Sequence, residues 1–224
     1  MDVAPGTVVV WSDLTCPWAT LAVHRLHGAR ARLGSAERVR LDHRAFPLEL
    51  FNEQPTPRRV LAAEVPVVGA RAPELGWQVW RAPESEWPVT VLLAMEGVQA
   101  AKEQGLEASE QLDYALRQAF FAESRCISMR HVVLDVAARC PAVDVEMLRK
   151  ALDDGRARRT VIEQREQAER EGVKGSPHVF LHDGGDVHNP GVRMHWEGDH
   201  GRGFPVIDDD DPSVYDDLVR RAAG

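Results

Sequence analysis

A short run of strand-forming residues, Thr7-Val8-Val9-Val10-Trp11, leads into Cys16-Pro17-Trp18-Ala19, and from Trp18 onward the apolar positions follow a different period. Trp18, Ala22, Leu26, Ala29 and Leu33 recur at steps of three and four, one stripe of a helix, and Gly34 ends it. Leu41 to Phe46, preceded by Arg38-Val39-Arg40, reads as a second strand. Strand, helix, strand is a βαβ unit. Its parallel strands need a right-handed crossover and cover on both faces, which commits the chain to an α/β sheet.

Cys16 falls where the strand hands over to the helix. A side chain there faces unpaired backbone N–H groups and the positive end of the helix dipole, so the position favours a thiolate. Pro17 suits the first helical turn. Cys16 is therefore the candidate nucleophile, against the alternative of a buried structural thiol. A dithiol site frees its mixed disulfide by attack from a second cysteine, and Ala19 cannot make that attack.

Composition narrows the function classes. The formal charge of −8, from 35 acidic and 27 basic residues, argues against nucleic acid or an anionic membrane as partner. Three cysteines, at 16, 126 and 140, do not describe a secreted disulfide framework, so a cytoplasmic protein is expected. The N-terminal residues lack a basic n-region, which gives the expectation of no secretory signal, and no apolar run is long enough to span a membrane.

Prolines 47, 55, 57, 66, 73, 83 and 88 predict a looped connection with short helices, in which Trp77, Trp80 and Trp87 are exposed aromatics suited to a lid or an oligomer contact. From Thr90 the pattern is helical, with Ser109, Ser128 and Asp144 as expected caps, and it closes in the charged run Arg158 to Glu171. Gly175-Ser176-Pro177 then enters a strand, His178 to His182, with a turn at Gly184-Gly185 and a return strand near Asp186 to His188. Pro212 to Ala223 reads as a closing helix.

Metal binding is not expected. His178, His182, His188, His195 and His200 match no common zinc spacing, and Asp208 to Asp211 reads as a solvated loop rather than a calcium site. His178 and His182 share one strand face, so at least one is expected to face solvent.

The segments Ser12-Asp13-Leu14-Thr15-Cys16-Pro17-Trp18, Arg44-Ala45-Phe46-Pro47-Leu48, Ala119-Phe120-Phe121-Ala122-Glu123 with Ile127-Ser128, and Gly172-Val173-Lys174-Gly175-Ser176-Pro177 together resemble the FrnE-like branch of the DsbA family of thiol oxidoreductases. Relatives of that branch include 2-hydroxychromene-2-carboxylate isomerases and kappa-class glutathione transferases. The resemblance implies a thioredoxin-like fold, a mixed sheet flanked by helices, interrupted by an all-helical insertion domain. Residues 1–57 and 172–224 would form the discontinuous thioredoxin-like domain and 58–171 the insertion. It also implies a cis peptide before Pro177, with Ser176 presenting backbone to a bound peptide or thiol, and a substrate site shared by Pro17, Trp18, Ser176 and Pro177.

Three functions remain open. The first is a monothiol thiol-disulfide oxidoreductase in which Cys16 forms mixed disulfides with a small-molecule thiol or a protein disulfide. No cofactor is tightly bound, and an external thiol such as glutathione or mycothiol resolves the adduct. The second is a thiol-cofactor-dependent isomerase or transferase in which Cys16 activates a bound thiol without a disulfide. The third is a non-catalytic binding protein. Cys126 is the candidate resolving thiol within the chain, Cys140 reads as structural, and a homodimer stays open.

Overall fold

A computed structural model describes residues 1–224. Strand β1 (Thr7–Ser12) alternates in the direction its side chains take: Val8 and Val10 enter one apolar cluster, Val9 and Trp11 another. Both faces are thus buried, as a central strand of a mixed sheet requires. Helix α1 (Pro17–Arg32) and strand β2 (Arg40–Ala45) complete the βαβ unit, with β2 parallel to β1 from Thr7↔Arg40 to Ser12↔Ala45.

Beyond β2 come the single turn α2 (Leu48–Phe51) and helix α3 (Arg58–Gly69). Helix α3 is a correction to the expected looped connection: it carries Pro66 in its last turns, where the lost N–H bond is outweighed by packing on both flanks. Leu61 and Val65 join the core of the helical block, while Val68 packs with Cys16, Trp18 and Leu21.

The block continues as α4 (Leu92–Ala101), α5 (Leu106–Phe121), α6 (Arg130–Ala137), α7 (Val145–Asp154) and α8 (Arg158–Arg170). Asp144 caps α7 through the N–H groups of Glu146 and Met147. The other two expected caps are corrected: Ser109 lies buried inside α5, and the Ser128 hydroxyl donates to the Thr90 carbonyl rather than to a helix start. The three tryptophans are also not exposed in the way expected. Trp80 meets Trp87 at 5.1 Å and Phe120 at 5.5 Å, and Trp77 stacks on Phe121 at 5.0 Å, so they fill the block's core.

Strands β3 (His178–Phe180) and β4 (Asp186–His188) then return the chain to the sheet, whose order is β2-β1-β3-β4. A separate two-stranded ribbon follows, β5 (Val192–Glu197) and β6 (Phe204–Asp210), before the closing helix α9 (Val214–Ala223). The expected loop at Asp208 to Asp211 is therefore corrected to strand as far as Asp210, whose carboxylate takes both Arg25 Nη1 (2.6 Å) and Nη2 (2.9 Å). The ribbon's Val192, Met194 and Ile207 pack on the cluster holding Cys16 and Trp18. At its base Gly191 has φ +70°, and a Cβ there would sit 2.3 Å from the Asp211 carbonyl, so only glycine allows this close return.

Arg117 of α5 joins the helical block to the sheet. It is fully enclosed, paired with Asp113 (Nε–Oδ2 2.7 Å), and donates to the Asp13 carbonyl, the Thr20 hydroxyl and the Ser12 hydroxyl.

Candidate active site

The loop after β1 is held by its own carboxylate. Asp13 Oδ1 accepts from Thr15 N (2.7 Å) and Thr15 Oγ1 (2.7 Å), and Oδ2 accepts from Leu48 N (2.9 Å). Burial still raises the Asp13 pKa, against the opposing pull of these bonds and of Arg117. The Asp13 N–H reaches across to Ser176 Oγ at 2.8 Å, which fixes the loop before Pro177 over the start of α1.

Cys16 is the N-cap of α1, with φ −82° and ψ 115°, and Pro17 is the first helical residue. Its Sγ–H donates to the Ser176 carbonyl at 3.2 Å, and the Ala19 N–H points at Sγ from 3.5 Å. The peptide between Ser176 and Pro177 is cis. The Ser176 N–H has no partner within the chain. Cys16, Ser176 and Pro177 are thus brought together by two loops meeting at one end of the sheet.

The helix terminus is not the only influence on the charge of the sulfur. Cys16 is 5% exposed. Burial first, and the negative charge of Glu64 second, push its thiol up to about 12, although the Ser176 side chain and the Ala19 N–H act the other way. The expectation of a thiolate from position alone meets an opposing effect, because desolvation acts against the Ala19 N–H contact and the end of the dipole.

Glu64 is a buried carboxyl beside Trp18 that sequence reasoning missed. It lies in the middle of α3, 7% exposed, and its Oε1 accepts from Trp18 Nε1 at 2.9 Å. Burial lifts its pKa to about 7, and the indole bond only partly offsets that. Trp18 therefore ties α1 to a carboxylate on α3. The only sequence clue is one acidic residue inside the apolar run Val60-Leu61-Ala62-Ala63-Glu64-Val65.

Ala19 is completely enclosed, in the same cluster as Cys16, Trp18, Leu21, Val68 and Ala72. Cys126 lies elsewhere, packed against the core of the helical block and lining an open depression with Arg125, Met129 and His131. Cys140 is buried, and all three cysteines are free. The histidines are separately engaged: His178 is buried and bonds to Asp186 Oδ1 at 2.8 Å, His195 bonds to Asp208 Oδ1 at 2.9 Å, and His200 stacks on Trp196. His182 is half-buried and lies beyond the end of β3, so the shared strand face expected for His178 and His182 is corrected. No group of three or more metal-ligating side chains converges, and no helix is long and apolar enough to cross a membrane.

Known folds place this arrangement. The structure of a probable DsbA oxidoreductase from Streptomyces coelicolor superposes with a TM-score of 0.67 at 20% identity, covering 96% of this chain and 89% of that one. The cytosolic disulfide reductase DsbM from Pseudomonas aeruginosa, solved with GSH, gives 0.63 at 15% identity over 81% of this chain and 89% of that one. A 2-hydroxychromene-2-carboxylate isomerase gives 0.59 at 18% identity over 81% and 87%. These likenesses establish the thioredoxin-like fold. No curated protein sequence matches the chain. The model of the DSBA-like thioredoxin domain matches residues 7–199, nearly the whole of what builds the sheet, the helical block and the site around Cys16, and the chain belongs to that family.

Proposed function

We propose that the protein is a monothiol thiol-disulfide oxidoreductase of the FrnE type, in which Cys16 forms a mixed disulfide that an external thiol resolves. The observation that carries this is the contact of Cys16 Sγ with the carbonyl before the cis proline, in a cluster where the fourth motif position is Ala19. A substrate's extended backbone would pair with Ser176, whose N–H is free, and lie against Pro17, Trp18 and Pro177. The GSH carried by DsbM, a protein of the same fold, supports a low-molecular-weight thiol such as glutathione or mycothiol as co-substrate. Three free cysteines suit a reducing, cytoplasmic setting. We take 1–57 and 172–224 as the thioredoxin-like domain and 58–171 as its insertion, with α3 serving both.

Intact-mass analysis of the protein from native cells tests this. An adduct on Cys16, absent from Cys16→Ser, is expected. No adduct after incubation of the folded protein with oxidised glutathione would defeat the reading.

A second reading has its own support. A buried neutral thiol that donates a hydrogen bond suits a thiol-dependent isomerase or transferase, where Cys16 would orient a bound thiol without joining it. Turnover of such a substrate with Cys16 never modified would favour it.

A further inference from the structure

The segment that presents Ser176 has few bonds of its own. It leaves α8 at Val173, whose N–H donates to the Ala168 carbonyl, and enters β3 at His178. The backbone N–H groups of Gly175 and Ser176 have no partner within the chain, whereas that of Lys174 donates to His178 Nδ1 at 3.1 Å. His178 is 1% exposed, and its other ring nitrogen, Nε2, lies 2.8 Å from Asp186 Oδ1 on β4. A neutral imidazole that accepts at Nδ1 carries its one proton on Nε2, where a carboxylate oxygen receives it. Both the tautomer and the ring's orientation are therefore fixed. The segment also lies against a second ring: a Cβ on Gly175 would come 2.8 Å from Nε2 of His188.

We propose that His178 is the positioning residue of this segment: neutral and protonated on Nε2, it holds the Lys174 N–H so that Ser176 offers its backbone to a bound thiol or peptide, and protonation of Nδ1 lets the segment go. This rests on the monothiol reading above, which gives the Ser176 backbone its role. An imidazolium is a donor at both nitrogens, so it cannot keep the bond from Lys174. The site then loses its hold on substrate in acid for a reason separate from the ionisation of sulfur.

The surroundings suit the role. Asp186 and His188 of β4 and Lys174 of the segment itself are the titratable groups that face the ring, with Lys174 Nζ 3.9 Å from the same Asp186 oxygen. On β1 the residue opposite is Trp11, and Arg44, which lies over the Trp11 ring, pairs with Asp42. Helix α8 contributes the buried Ala168 to that face of the sheet. Burial holds the His178 pKa below its usual 6.5, and Asp186 only partly offsets that. The neutral ring is thus the resident form at neutral pH, and release belongs to more acidic conditions.

The test uses the isotope-labelled full chain and two readouts. By NMR at pH 7.5 we expect His178 protonated on Nε2 alone, and the Lys174 amide exchanging with water about 10-fold or more slowly than that of Gly175, a difference that disappears as pH falls. Asp186→Asn, at an exposed position, should move that disappearance to lower pH. Capture of glutathione from oxidised glutathione, in which the bond to Cys16 Sγ forms as the second glutathione leaves as a thiol, is followed by mass spectrometry from pH 5 to 8. His178→Asn keeps an oxygen acceptor for Lys174 and takes up no proton, so its rate relative to wild type should rise as pH falls. His178→Phe offers no acceptor, and capture at pH 7.5 should slow by about 3- to 10-fold. A His178 proton on Nδ1, a Lys174 amide that exchanges as fast as that of Gly175, or one pH profile shared by wild type and His178→Asn would overturn the proposal. Failure of Cys16 to take up glutathione, with the tautomer and the Lys174 protection as expected, would instead remove the monothiol reading and leave the His178 brace standing.

Discussion

The floor and the wall of the site are built to different rules. The floor, from Ser12 to Cys16, is over-determined: Asp13 is held by Thr15 and Leu48, its N–H is spent on Ser176, and Arg117 grips its carbonyl from the helical block. The wall, helix α3, offers Glu64 with a single hydrogen bond. Both carboxyls are buried and both have raised pKa values, yet only the one with few donors is free to change its protonation without dismantling a loop. Burial sets the direction of a pKa shift, and the number of fixed donors decides whether the group is a strut or an exchanger.

The largest effect should come from breaking the floor. Arg117→Leu leaves Asp113 charged and unpaired in the core and removes three further bonds, so a loss of about 3–5 kcal/mol in urea unfolding is expected. A loss under 1 kcal/mol would mean that the floor is not held from the helical block.

Glu64→Gln should act in the opposite direction, and only at higher pH. A carboxyl whose folded pKa, about 7, lies above its unfolded value of 4.5 favours the fold below the unfolded pKa, and that contribution is lost as pH rises through 7. The variant should therefore match wild type near pH 4 and exceed it at pH 8 by up to about 3 kcal/mol, as urea midpoints at the two pH values will show.

The smallest change is Trp18→Phe. Removing one hydrogen bond to a buried carboxyl should cost about 1–2 kcal/mol, more at pH 8 than at pH 5, since the bond matters most when Glu64 is ionised. Equal cost at both values would show that the indole bonds the neutral acid just as well.

Much of the floor was legible in the sequence because it is local. Strand, Cys16-Pro17 and helix stripe lie within one βαβ unit, and Gly175-Ser176-Pro177 announces itself by composition just before a strand. The wall was not legible, because seven prolines between 47 and 88 mask the period of α3 and only packing on two sides makes Pro66 tolerable in a helix. The ribbon was hidden by aspartates, which are poor strand formers; here Asp210 is stabilised by Arg25 from α1 rather than by anything nearby in sequence. Arg117 did leave a trace, an i,i+4 pair with Asp113 beside the apolar Leu112 and Leu116, but a charged pair on a helix ordinarily faces water. The burial that opposes ionisation of Cys16 is hidden for a related reason: position on a helix is written in the sequence, and depth of burial is not.

Ser176 links the covalent state of the sulfur to what its backbone can hold. While Cys16 carries a proton, that proton takes one of the two acceptor positions of the Ser176 carbonyl, and the Ser176 N–H stays without a partner. A sulfur already in a disulfide has no proton to donate, so both acceptor positions of the same carbonyl are open. On the monothiol reading, a chain attached to Cys16 would then meet one more open backbone acceptor than a departing one, and release would follow the return of one hydrogen atom.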